Sequence, residues 1–248
     1  MKAILTIIGV LLAFPLSAQF HFLGDARPIE KNCILLTPDA AYREGIAYST
    51  DFLDLDQNFQ IEFDIFLGYK DVNGADGITF VIHSDPRGFE AFGTFGECMG
   101  YGRWVADVPY GTFIAPSIAL EFDTYYNPNQ NDPPSDHLAY LQNGSNRHTA
   151  YWNNEDQDFN LEDGLLHSFI FKWNSVKREI IVKLDGMEVL RTEKDLKKDI
   201  FKGNSMVIWG FTASTGRVHN LQYFCLKRMA YLGSGLHKTY LTGLSEPY

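Results

Sequence analysis

Helix signals are nearly absent from this 248-residue chain. Only Lys194 to Phe201 carries a plausible helical pattern, so a helical bundle or an alternating α/β fold is excluded. Internal repeats, low-complexity tracts and Pro/Gly-rich linkers are also missing, which argues against a repeat array or a string of domains. Cysteine is scarce at three, too few for a disulfide-dense scaffold or a four-thiolate metal centre. Basic blocks are absent too. Lys and Arg number 21 against 31 Asp and Glu, and the net charge of −10 removes the electrostatic footprint of a nucleic-acid binder. Past Leu16 no run of about eighteen apolar residues occurs, so no membrane-spanning helix is predicted.

What is present begins with an export signal. Lys2 is followed by an apolar stretch from Ala3 to Leu16 and by the small residues Ser17 and Ala18. Residues 1–18 read as a signal peptide, which predicts a secreted or extracytoplasmic protein that is not integral to a membrane. Lys2 is the only charge in that segment, so removing it takes the net charge from −10 to −11. An oxidising compartment favours pairing two of the three cysteines. Cys33 precedes the first strand-like run and Cys225 lies in the last, and terminal strands commonly pair in closed sandwiches. Cys33–Cys225 is therefore the expected disulfide, with Cys98 free and buried, although sequence alone leaves the other pairings open.

Strand signals fill most of the remaining length. Phe59 to Leu67 alternates apolar and polar residues, the period of a half-buried strand. Gly77–His83 and Pro116–Asp123 are apolar runs bounded by turn residues. Ser168–Trp173 and Glu179–Leu184 predict a hairpin, and Asp185-Gly186 turns the chain into Met187–Arg191. Met206–Ala213 and Gln222–Leu226 close the series. The fold class is all-β, an antiparallel jelly-roll sandwich over residues 19–228, with residues 229–248 an unassigned tail. Four long loops remain for function: Asp71–Asp76, Asp85–Ile114, Tyr125–Asp136 and Ser214–Leu221.

One loop carries chemistry. Glu121, Asp123, Asn127, Asp132 and His137 fall within seventeen residues, with Glu121 and Asp123 on one face of a strand. Carboxylate, amide and backbone oxygens suit a hard cation such as calcium, and an imidazole suits a borderline transition ion. A surface turn rich in Asp, Asn and Pro would show such residues singly; five donors at this spacing favour a double cation site.

Four blocks, in order, resemble the L-type (legume-lectin-like) lectins of the concanavalin A-like family, most closely the secreted bacterial members. They are Gly74–Val81, the Gly-rich turn Gly93–Gly102, Ser117–Asn127 with Asp132 and His137, and Trp209–Gly216. The resemblance implies calcium on Asp123, the Tyr125 carbonyl, Asn127 and Asp132. It implies manganese or another transition metal on Glu121, Asp123, Asp132 and His137. Sugar hydroxyls would meet Asp76 and Asn127, a backbone N–H of Gly96 or Glu97 would add a donor, and the Tyr125 ring would stack on the sugar. Gly216 and Arg217 begin the segment that sets sugar preference. A cis peptide before Asp76 is implied as well. Glu97 departs from the family's glycine, so its carboxylate either accepts from a sugar or crowds the pocket.

Two other readings compete. A laminarinase-like glycosidase on the same jelly roll needs a third carboxylate after Glu121 and Asp123, but positions 125 and 126 are both Tyr. A partner-display module would keep the fold and the metals without a glycan site. The remaining histidines, His83, His148, His167, His219 and His237, show no metal spacing and read as core or surface residues. The expectation is a calcium- and transition-metal-dependent lectin without catalytic activity, binding glycans and gaining avidity through clustered ligands or homo-oligomers.

Overall fold

The computed structural model describes residues 20–30, 32–105, 108, 110–130, 132–153 and 159–233. The expected signal peptide, His237 and the end of the tail lie outside them. Among the described residues, strands form two antiparallel sheets. The first runs, edge to edge, through β1 (Phe20–Gly24), β4 (Glu44–Ser49), β14 (Met206–Ser214), β7 (Gly77–His83), β8 (Ser117–Asp123), β9 (His137–Gln142) and β10 (Ala150–Trp152). A short β5 (Leu53–Asp54) pairs with the start of β14. The second runs through β13 (Met187–Glu193), β12 (Glu179–Leu184), β11 (His167–Asn174), β6 (Asn58–Phe66), β15 (Gln222–Leu232), β3 (Cys33–Thr37) and β2 (Arg27–Glu30).

Alternation decides how the two sheets meet. In β6, Phe59, Ile61, Phe63 and Ile65 are fully buried while their neighbours face outward. Burying each such side chain is worth about 1.5–3 kcal/mol, so β6 anchors the second sheet firmly. Phe63 meets Phe169 of β11 at 4.4 Å between ring centroids and Phe211 of β14 at 4.6 Å, closing the core between the layers.

Strands β7 and β8 do not alternate; every residue in them is buried. Their inner face packs in the main core through Phe80, Leu120 and Phe122. Their outer face lies under residues 89–101 and Ile114, where Val81 and Ala119 join Tyr48, Ala91, Tyr101 and Ile114 in a second cluster. That covering explains the continuous apolar runs in the sequence, and it seats the Gly-rich turn on the sheet.

Three expectations are adjusted. The segment Lys194–Phe201 holds a single π-helical turn, Leu196–Ile200, with the Asp195 side chain accepting from Lys198 N. His137 belongs to a strand, not a returning loop; it opens β9 directly opposite Asp123. The last strand continues to Leu232, so Met229–Leu232 are sheet rather than tail, with Met229 and Ala230 buried. A register shift between Leu226 and Arg228 breaks the period-2 pattern there, which hides the continuation in the sequence.

Cys33 and Cys225 are directly paired in register on β3 and β15 and form the disulfide, while Cys98 is free and buried. The bond closes a loop with a sequence separation of 192 residues. Loop closure of that size restricts the unfolded chain by roughly 5 kcal/mol in the chain-entropy description. Replacing both cysteines with serine should lower unfolding stability by about 2–5 kcal/mol, read from denaturant unfolding curves whose slope steepens as the unfolded chain expands.

Candidate functional site

The end of β8 places Glu121 and Asp123 on the outer face, since Phe122 between them points into the core. The antiparallel register brings His137 opposite Asp123. The following loop is shaped by its own carboxylates. Tyr125 N donates to Asp123 Oδ1 at 2.7 Å, and Asn127 N donates to Asp132 Oδ2 at 2.8 Å. The second bond brings Asp132 back over the strand end. Asp123, Asp132 and His137 form one cluster of potential ligand atoms, and Glu121, His137 and His148 form another.

The cluster is rich in buried negative charge. Burial, with Glu121 and Asp132 alongside, pushes the Asp123 carboxyl well above the usual range. Asp132 is pushed up to about 7, by burial first and by Glu121, against the bond from Asn127. Burial pulls the His137 imidazole below its ordinary value. Its Nδ1 lies 3.3 Å from the Ser135 carbonyl, which can only accept, so Nε2 carries the lone pair. That Nε2 and the Asn127 Oδ1 are both buried with no hydrogen-bond partner among the described residues. Carboxylate and amide oxygens fit a hard cation, and the imidazole beside Glu121 fits a transition ion.

Next to this cluster lies a cavity of about 430 Å³. All seven residues assigned to sugar contact line it: Asp76, Gly96, Glu97, Tyr125, Asn127, Gly216 and Arg217. The Ala75–Asp76 peptide is cis. Asp76 is tied on both sides through its backbone, N to the Ser214 carbonyl at 3.2 Å and O from Thr124 N at 3.1 Å. Its Oδ2 is buried with no partner among the described residues. Burial and the nearby Glu97 charge push the Asp76 carboxyl up to about 7. The Gly-rich turn enters the cavity through Gly96, whose φ of +68° suits glycine. Gly216 leaves open the space above Asp76; a Cβ there would stand 3.7 Å from Asp76 Oδ2.

A family model for the legume lectin β-barrel domain matches residues 14–228. The chain belongs to the L-type lectin family. Solved lectin structures share its fold. Peanut lectin with a 9mer peptide is 20% identical, covers 86% of this chain and 90% of its own, and gives a TM-score of 0.67. The metal-free form of lectin I-B4 from Griffonia simplicifolia is 23% identical, with 84% and 90% covered and a TM-score of 0.67. The Bauhinia forficata lectin in complex with GalNAc is 20% identical, with 84% and 90% covered and a TM-score of 0.67.

Within this L-type lectin, Glu97 has a definite structural place. Its carboxylate accepts from Asn127 Nδ2 at 3.3 Å, Asn129 Nδ2 at 2.8 Å and Gln130 Nε2 at 2.6 Å. It therefore joins the Gly-rich turn to the cation-cluster loop. Sequence reasoning missed Tyr42, Glu44, Phe95, Trp104 and Thr215, which also line the cavity, as does Val218 from the segment after Gly216. Tyr42 and Glu44 come from a segment with no motif, and only their exposed or polar character beside a strand gave any hint. His148 is the clearest correction. It is not a plain core or surface histidine, because its Nε2 lies 2.9 Å from Glu121 Oε1 and 3.5 Å from Asp132 Oδ1. Burial lowers the affinity of that imidazole for a proton, but Glu121 outweighs it and raises the pKa.

The loop carrying Arg217 is anchored from below. Asn220 is fully buried, donating to the Lys70 carbonyl at 2.9 Å and to Glu162 Oε2 at 2.8 Å. Asp39 gathers Lys70, His219 Nδ1 at 2.7 Å and the Tyr69 hydroxyl at 2.9 Å. Burial alone would raise the Asp39 carboxyl, but these bonds outweigh it and hold it down at about 2. A carboxyl depressed on folding stabilises the native state above its ordinary value near 3.8 and loses that contribution as pH falls through about 2. Asp39→Asn should therefore lower thermal stability at pH 7 and converge with the parent near pH 2, as followed by circular dichroism melts.

Proposed function

We propose that this L-type lectin is an exported carbohydrate-binding protein that depends on calcium and a transition metal and has no catalytic activity. One observation carries the reading. Asp76 and Asn127 meet in a single cavity, each held by a segment that also touches the cation cluster, and Asp76 presents a buried acceptor oxygen to it.

In this reading Asp76 accepts from sugar hydroxyls, while the Asn127 amide, steadied by Glu97, donates to them. The half-buried Tyr125 ring covers the apolar face of the sugar, where an aromatic adds contact at low entropic cost. Gly96 or Glu97 lends a backbone N–H group, and Gly216 and Arg217 bound the rim. Asp123, the Tyr125 carbonyl, Asn127 and Asp132 would hold calcium; Glu121, Asp123, Asp132 and His137 would hold the transition ion. These cations supply positive charge to a cluster otherwise burdened by like charges, and they fix the loop that carries Asn127.

The non-catalytic reading follows from position. Glu121 and Asp123 are 4% and 3% exposed, and neither lines the cavity. Tyr125 and Tyr126 occupy the places where a hydrolase would need its acid. Export is supported by the apolar segment after Lys2 and by the disulfide. No helix of the described residues is long and apolar enough to cross a membrane. Affinity for one sugar unit is expected to be weak, with useful binding coming from clustered glycans or self-association.

A glycan array with the mature protein tests the reading, run with calcium and manganese and again with chelator. GalNAc belongs on it, since the Bauhinia lectin holds that sugar. Binding should appear with metal and vanish with chelator; no binding in either state would leave the partner-display module instead. Asp76→Ala should lose glycan binding by about a hundredfold or more while melting near the parent, and Asn127→Ala should lose it together with part of the calcium-dependent rise in melting temperature, since each removes hydrogen bonds that define the site. Asp123→Ala should lose binding and also lose the rise in melting temperature that calcium gives the parent.

A further inference from the structure

We propose that His148 is a direct ligand of the transition ion, giving that site two imidazoles and a preference for zinc over manganese. This rests on the transition-metal reading above but goes beyond the ligand set that the family resemblance implies, which contains one histidine.

Geometry carries the assignment. Ligand atoms of Glu121, His137 and His148 all lie within 4.8 Å of one another. His148 Nε2 is 2.9 Å from Glu121 Oε1, and His137 Nε2 is 3.8 Å from the same oxygen. Two donors bound to one ion at about 2.0–2.2 Å sit about 3–4.2 Å apart, so small side-chain adjustments bring all three onto one centre. The two rings tilt toward each other with centroids 4.9 Å apart.

The orientation of His148 matters as much as its distance. Its side chain is 6% exposed, and Nε2 is buried without a hydrogen-bond partner among the described residues. Glu121 Oε1 is close but off the axis along which that nitrogen would share a proton. A buried nitrogen left so is costly unless something in the cluster satisfies it. His137 Nε2 is in the same condition. Two imidazole nitrogens, both without hydrogen-bond partners and both beside one carboxylate, are the donor set of a borderline ion.

The loop that delivers His148 is held in place before any ion binds. Arg103 spans it, Nε donating to the Gly144 carbonyl at 2.9 Å and Nη2 to the Asn143 carbonyl at 2.5 Å. Asn146 donates to the buried Cys98 sulfur at 3.1 Å. Thr149 N then closes onto the Tyr140 carbonyl at 2.8 Å. Manganese stands lowest among the divalent first-row ions for nitrogen donors, and imidazole suits zinc, copper and nickel. A second imidazole therefore tilts the site toward zinc.

The test uses the mature protein stripped of metal, reloaded with calcium, and titrated with zinc or manganese ions alone. Zinc should bind the parent about tenfold or more tightly than manganese, and His148→Ala should lose about tenfold or more in zinc affinity while calcium affinity stays within about twofold. Cobalt ions should give a visible absorption band in the parent that weakens and shifts in His148→Ala. Copper ions bound to the unmodified protein should show two coupled imidazole nitrogens by electron paramagnetic resonance, a readout needing no variant. Unchanged zinc affinity and cobalt spectrum in His148→Ala, or a single coupled nitrogen, would overturn the assignment while leaving a one-histidine metal site intact. If Glu121→Gln and His137→Ala also bind zinc as the parent does, the transition-metal reading itself falls.

Discussion

The constraint on which the rest of the site depends is the concentration of negative charge at the end of one strand. Glu121 and Asp123 share a face because strand residues alternate, and Asp132 is folded back onto them by a single backbone bond from Asn127. Three carboxylates inside a protein repel each other more strongly than they would in water. Two outcomes relieve that repulsion: taking up protons, which the raised Asp123 and Asp132 express, or taking up cations. The loop that makes the crowding possible is also the loop that carries Tyr125 and Asn127 into the cavity. Charge balance and ligand recognition are thus set by one stretch of chain.

Much of this was legible in the sequence because it is local. Alternation in Phe59–Leu67 marked β6, and the apolar runs ending in His83 and Asp123 marked β7 and β8 to within a residue. The disulfide followed from strand placement, and the seven cavity residues followed from ordered blocks read against a known family. Hidden features depend on register or on contacts between distant loops. The bulge at Leu226–Arg228 resets the phase of β15, so Met229 and Ala230 looked like tail. His148 lies eleven residues beyond His137, outside any ligand spacing, and reaches Glu121 only because Arg103 and Cys98 hold its loop. Tyr42 and Glu44 come to the cavity from the other end of the chain.

The scaffold divides its labour between two apolar clusters. The core between the sheets is built from rings on several strands, so no single contact decides its survival. The smaller cluster beneath residues 89–101 has a narrower role and fastens the Gly-rich turn to the outer face of the sheet. Thr212 Oγ1 donates to the Met99 carbonyl at 2.7 Å and Ser214 Oγ to the Gly96 carbonyl at 2.9 Å, so hydroxyls from β14 finish the attachment. A turn rich in glycine is flexible by composition, and here it is immobilised by what lies under it.

Glu97 has a kinetic consequence. One carboxylate grips three amides on the neighbouring loop, so two walls of the cavity behave as a single stiff body. A ligand entering such a cleft finds its partners already ordered and loses little to arranging them. Arrival rates then vary little from one ligand to the next, and selectivity is written in how long each one stays.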